Sequence, residues 1–261
     1  MPRRWAVAGL DLAWGERRPD GLCVLHGAGR RILHAEHGLT RGDEALLRWL
    51  QEHVPENCPA LLCIDAPVVC PNRTGSRPVD RLTHSLFHHV QAAAHPANRS
   101  LCARPLRVVR KLRRAGFSIA TDWPATPRAL VEVFPHPASV RWFDLARTIK
   151  YKRGPVAARR REFACLQRLL RGKLAADAPL ILERPEFAAL LRAPWSKDTE
   201  DLTDALLCAL VGYQWVTEGR QSLEILGDER TGFIVVPQKN SPVDPAMSSP
   251  RTRDARGSTR L

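Results

Sequence analysis

Three apolar, strand-like runs crowd into the first 37 residues, and their spacing restricts the fold more than any other feature of the chain. Residues 5–10 end at Asp11. Residues 22–26 follow a turn containing Pro19, Asp20 and Gly21, and residues 31–37 follow Gly27-Ala28-Gly29. Parallel neighbours need a crossover of about a dozen residues or more, and these linkers are too short. The three runs therefore read as antiparallel hairpins. A helix follows, with Thr40 and Asp43 fitting an N-cap and its acidic third position, and with Leu46, Trp49 and Leu50 as an apolar stripe. Residues 60–64, ALLCI, then read as a buried strand that ends at Asp65 and is stopped by Pro67. A strand reached through a helix after three hairpin-linked strands points to an α/β domain with a mixed sheet.

The remaining chain divides by composition. Residues 68–128 carry many prolines and arginines and four of the nine histidines, and read as a basic, partly helical insertion over the sheet edge. The core resumes with a strand at 129–134 that contains Glu132. A basic helix spans 156–174, with Leu166, Leu169 and Leu170 apolar and Gly172 weakening its end. The last helix runs from about 199 to 218 and stops at Gly219, with Leu202, Leu206, Leu210 and Tyr213 facing the core. A short strand at 233–236 closes a domain over 1–237. Residues 238–261 lack apolar periodicity and read as a disordered basic tail. No apolar run reaches the ~18 residues of a membrane span, and the N-terminus lacks a leader pattern. The expectation is a cytoplasmic protein without a membrane partner. The seven cysteines are scattered and form no CxxC pair, so they read as reduced thiols.

Charge gives the first functional clue. Lysine and arginine total 40 against 27 acids, a net charge of +13. Such an excess suits a polyanionic partner, above all nucleic acid, although solvated arginines would give the same count. Yet Asp11, Asp65 and Glu132 sit at strand positions flanked by apolar residues, where an isolated carboxylate is costly unless paired or metal-bound. Asp201 and Asp204 lie three apart on one side of the last helix. Each has a local reading too. Asp11 could cap a turn, Asp65 could make an Asx turn before Pro67, Glu132 could pair with an arginine, and Asp201 could favour a helix start. Together they outline a hard-cation site for Mg²⁺ or Mn²⁺. A pair of such ions about 3.5–4 Å apart can hydrolyse phosphodiesters.

The stretches GLDLAWG (9–15), CIDAPVV (63–69), TGSRPVDRLTHSLFHHVQAAAHPANR (74–99), LVEVFPHPASV (130–140), KDTEDLTDALLCAL (197–210) and GFIVVP (232–237) occur in one order. In them the chain resembles the family labelled domain of unknown function 429, whose members are predicted ribonuclease H-like nucleases. The resemblance implies a ribonuclease H-like mixed sheet of three antiparallel strands followed by parallel strands, flanked by helices. It also implies active-site acids at Asp11, Asp65 and Asp204. Asp201 is similar to an additional helix acid of RuvC-type resolvases, and Glu132 is the family's own acidic position.

The expected catalytic set is thus Asp11, Asp65, Glu132 and Asp204, with Asp11, Asp65, Asp201 and Asp204 as metal ligands. Arg73, Arg77, Arg81, His95, Asn98, Arg99, Lys150 and Lys152 are candidates for substrate contacts, since arginine grips phosphate bidentately. Arg107, Arg110, Lys111 and Arg114 fall near one helical side. The leading function is a metal-dependent nuclease. The alternatives are a non-catalytic nucleic-acid-binding protein and an actin-like-superfamily enzyme acting on a small phosphorylated substrate. The chain carries no signal of oligomeric state.

Overall fold

The computed structural model describes residues 3–239. The opening meander is as the short linkers require: β1 (Arg4–Asp11), β2 (Asp20–Ala28) and β3 (Arg31–Thr40) pair antiparallel. Helix α1 (Gly42–His53) leads to β4 (Ala60–Ile64), which pairs parallel with β1. Helices α2 (Pro78–Phe87) and α3 (Ala103–Arg114) precede the short strand β5 (Ser118–Ile119) and then β6 (Arg128–Glu132). The sheet order is β3-β2-β1-β4-β6-β5, antiparallel on one side of β1 and parallel on the other. This is the mixed sheet expected from the sequence. Helices α4 (Pro135–Trp142), α5 (Val156–Asp177), α6 (Pro179–Leu182), α7 (Pro185–Leu190) and α8 (Lys197–Glu218) follow. The hairpin of β7 (Leu223–Asp228) and β8 (Gly232–Pro237) comes last, joined to the end of β6 by a parallel bridge between Val133 and Val235.

Helix α8 is set by a capping box at its start and by bare backbone beneath it. The Ser196 hydroxyl accepts from the Thr199 N–H at 3.1 Å, and the Thr199 hydroxyl accepts from the Ser196 N–H at 2.8 Å. A side chain on Gly9 would lie 2.0 Å from the Ala205 carbonyl, and one on Gly21 would lie 2.1 Å from that of Asp201. Only glycine lets the helix come this close to β1 and β2. Because side chains alternate along a strand, Gly9 also tells which residues face α8: Val7 and Asp11 do. Helix α1 covers the other face, where Trp49 lies against Gly38 and Leu46 and Leu50 are buried.

Several expectations need correction. Thr40 is the last residue of β3, and α1 starts beyond it with no side-chain cap. Asp43 is instead an interior counter-ion, bound by Arg104, Arg107 and Lys111. The 68–128 region is not separable from the body. Its α3 contributes Val108, Val109 and Leu112 to the main core, and β5 extends the sheet. The physical reason is helical spacing of these apolar residues beneath arginines that dominate the composition. Its α2 packs Val79 and Phe87 against Leu226, Ile234 and Val236 of the terminal hairpin, whose first strand has no clear sequence signal. Helix α5 runs through Gly172 because Leu170 and Leu174, on either side, are both fully buried. Apart from Gln238 and Lys239, the tail read at 238–261 lies outside the described residues. Among the described residues no helix is long and apolar enough to cross a membrane.

Gly9→Ala should lower unfolding stability by about 3 kcal/mol, since an added methyl must displace helix backbone rather than a flexible side chain. Urea denaturation measures this, and an unchanged midpoint would refute the close helix–strand contact.

Candidate active site

Parallel pairing brings the C-terminal ends of β1, β4 and β6 together. Leu10, Ile64 and Glu132 stand in one row across the sheet. Asp11 and Asp65 stand one residue further on, and the Asp65 N–H donates to the Leu10 carbonyl at 2.8 Å. Alternation puts Val7, Gly9 and Asp11 with Leu61, Cys63 and Asp65 on the α8 side, and Val7, Leu61 and Cys63 all approach Gly212 of α8. The fully buried Asp204 projects from that helix to meet them. The Lys152 Nζ lies 2.7 Å from Asp204 Oδ2 and 3.8 Å from Asp65 Oδ2. The Tyr151 hydroxyl donates to Asp204 Oδ1. Asp204 Oδ2 itself has no partner in hydrogen-bond geometry, despite the nearby ammonium.

The electrostatics follow from crowding. Burial pushes the Asp11 pKa well up; Lys152 opposes this, and Asp204, Asp65 and Asp201 add to it. Burial likewise pushes Asp65 up to about 7, against Lys152 and with help from Asp204 and Glu132. The Asp65 side chain keeps only 17% of its surface exposed. Burial works against the Lys152 ammonium, but Asp204 above all, with Tyr151, Asp11 and Asp65, outweighs it and raises its pKa. His136, whose Nδ1 lies 3.1 Å from the Thr148 hydroxyl, is pushed down to about 3 by burial and by Lys152, and is neutral.

The other expected residues divide sharply. Glu132 shares the row of Ile64, so alternation turns it away from α8. There it meets Arg77 through two contacts of 2.6 Å and accepts the Val68 N–H at 3.1 Å. Arg77 also binds Asp80 at 2.8 Å and is 1% exposed. Arg77 and Glu132 both border the cleft, yet neither is a free group: they neutralise each other, and Asp80 takes the rest of the guanidinium. Asp201 is engaged by Lys197 at 2.6 Å. Lys152 borders the cleft, but its ammonium sits among the acids. His95 and Lys150 do line the cleft, and His95 Nε2 accepts from Arg153 Nη2 at 2.8 Å, since arginine can only donate. Arg73, Arg81, Asn98 and Arg99 are not among the cleft-lining residues. Asn98 closes a turn through the Leu101 N–H, and Arg81 caps the Ser76 carbonyl. On α3, Arg107 and Lys111 are taken up by Asp43.

The cleft has a volume of about 990 Å³. Its wall includes the rim loop between β1 and β2, with the exposed residues Trp14, Arg17 and Arg18. Arg104 anchors that loop: it binds Asp20 bidentately at 2.8 and 2.6 Å and donates to the Ala13 carbonyl. Trp14, Arg17, Arg18, Tyr151, Arg153 and His136 were not singled out from the sequence. All but His136 lie in loops without periodicity, and His136 lies in the short α4.

Three carboxylates, one of them with a buried oxygen that no directed hydrogen bond claims, are the donor chemistry that a hard divalent ion takes. As the side chains stand, however, among the described residues no three His, Cys, Asp or Glu side chains form a group that could hold a metal ion. The Lys152 ammonium takes the position between Asp65 and Asp204, and Tyr151 holds the other Asp204 oxygen.

A protein-family model described as "Protein of unknown function (DUF429)" matches residues 9–230. No curated protein and no solved structure matches the chain.

A raised carboxylate pKa means that protonation favours the folded state. The stabilising effect is full below the unfolded value of ~3.9 and is lost as pH rises through about 7. Asparagine is neutral throughout. In EDTA, Asp65→Asn should therefore raise the melting temperature by roughly 2–4 °C or more at pH 8.5, and by much less at pH 5. Equal shifts at the two pH values would refute the acidic crowding.

Proposed function

The chain belongs to the DUF429 family, whose description assigns no activity, and from its site we propose a metal-dependent nuclease that hydrolyses nucleic-acid phosphodiesters. One observation carries this reading: Asp11, Asp65 and Asp204 converge where the strands end, with the buried Asp204 Oδ2 met only by the Lys152 ammonium. Asp11 and Asp204 would hold Mg²⁺ or Mn²⁺, with Asp65 as a further ligand. Bound there, the ion supplies an activated water and stabilises charge on the departing oxygen. The reaction adds water to phosphorus and breaks one P–O bond, leaving a phosphomonoester and a hydroxyl.

The chain's own residues do the rest. Arg17, Arg18, Lys150 and Arg153 lie exposed along the cleft and supply positive charge for a polyanion. Arg77 and Glu132 act at one remove. Their ion pair and the Val68 N–H hold the backbone just after Asp65, which keeps that carboxylate aimed at Asp204. Lys197 does the same for the first turns of α8 by tying Glu200 to Asp201.

Asp11→Asn keeps the size of the side chain and removes its charge. It should reduce Mg²⁺- or Mn²⁺-dependent cleavage to background, while nucleic-acid binding persists and weakens steeply with salt. Cleavage assays on single-stranded, duplex and branched DNA and RNA, paired with a salt titration of binding, test this. A wild-type protein that cuts none of them with either metal would overturn the nuclease reading. Loss of salt-dependent binding as well would redirect attention to a small phosphorylated substrate.

A further inference from the structure

The molecule contains two kinds of buried ion pair. The fixed kind uses arginine. Arg77 meets Glu132 through two nitrogens, with side chains 1% and 5% exposed, and the carboxylate also accepts a backbone N–H. Arg104 meets the 0%-exposed Asp20 in the same bidentate way. Every charged atom there has a directed partner. The pair at the acidic centre is different. It uses lysine, a point charge on a flexible stem. Its side chain is 28% exposed and lines the open cleft. Its contact with Asp204 Oδ2, though 2.7 Å long, leaves that oxygen without a hydrogen bond. The second acid, Asp65, stands off at 3.8 Å.

We propose that Lys152 is an exchangeable counter-ion: its ammonium keeps the place of a divalent cation among Asp204, Asp65 and Asp11, and metal binding releases it into the cleft as a phosphate contact. The inference rests on the metal-dependent reading above. Charge favours the exchange. When all three carboxylates are ionised, one ammonium leaves two uncompensated negative charges in a largely buried site. A divalent ion leaves one and returns a free cation to the cleft wall. The geometry permits it. Tyr151 is buried, its ring centroid 6.0 Å from that of Phe163 and its hydroxyl on Asp204 Oδ1. The backbone next to Lys152 is therefore pinned, while the side chain alone can turn outward. Tyr151 also fixes which Asp204 oxygen remains for the ion. The released ammonium joins Lys150 and Arg153 along the cleft, so metal loading and capture of a phosphodiester strengthen one another.

Calorimetric titration of Mn²⁺ into the full chain, as wild type, Lys152→Met and Lys152→Arg, tests the competition. Lys152→Met should bind Mn²⁺ about tenfold tighter or more, and should gain more melting temperature from Mn²⁺ than wild type does; Lys152→Arg keeps the charge and stays weak. Binding by Lys152→Met alone also supports the proposal. A second measurement needs no variant: acetylation of Lys152 in the wild type, followed by mass spectrometry, should speed up when Mn²⁺ is added. If Mn²⁺ binds the wild type but Lys152→Met binds no tighter, or if acetylation is unchanged on binding, the exchange is overturned and the metal site stands. If none of the three proteins binds Mn²⁺, the metal reading and the exchange fall together.

Discussion

Helix α8 rests on the uncovered backbone of β1 and β2, and the acidic centre exists because it does. With no Cβ on Gly9 or Gly21, the helix comes near enough for Asp204 to reach the residues beyond the strand ends. The same approach buries Asp204 completely and leaves Asp11 and Asp65 only partly exposed. The raised carboxylates, the captive ammonium of Lys152 and the neutral His136 are all responses to that crowded, largely buried position. A helix held a side chain's width further out would leave three ordinary solvated aspartates.

The charge count misstates what faces a ligand. Of the arginines in the 68–128 region, Arg77 and Arg104 are interior and Arg107 is committed to Asp43 and Glu16. These pairs act as joints. Arg104 ties α3 to the rim loop and to Asp43 of α1, and Arg77 ties the backbone after β4 to β6 and to α2. Breaking a buried pair by removing one partner typically costs about 3–5 kcal/mol, because the other charge is stranded. The free positive charge of the cleft comes instead from Arg17, Arg18, Lys150 and Arg153.

The meander, the mixed sheet, Asp11 and Asp65 are legible because hairpin spacing and strand-end acids are local features, whereas Asp204 stands out only as one of a helix pair and through the family resemblance. The capping box of Ser196 and Thr199 starts α8 at Lys197, two residues before the start expected from the apolar spacing. Glu132 was assigned to the site because it shares their strand setting. Register sets it apart from the aspartates: Glu132 stands beside Ile64, not beside Asp65, and that one-residue offset gives it to Arg77, although it still borders the cleft. Register between distant strands is not written locally. The same holds for Arg77, whose burial depends on a glutamate 55 positions away. Lys152 was noticed as a phosphate contact, since a lysine in a coil gives no hint that three acids will close around it. The rim loop went unread because Trp14, Arg17 and Arg18 follow no periodicity.

Every contact that makes the centre is distant along the chain. Tyr151 and Asp204 are 53 residues apart, and Arg104 reaches back 84 residues to Asp20 to set the loop beside Asp11. The hairpins of β1, β2 and β3 can form early from neighbouring residues, but they carry only one acid of the three. Closing loops of this length is slow and loses conformational entropy before any contact compensates. Pairing of β1 with β4 sets Asp11 beside Asp65, and Asp204 joins them only when α8 docks, with the lysine that neutralises them on the same side. The three-acid centre therefore exists only in a chain that has α8 in place over β1 and β2.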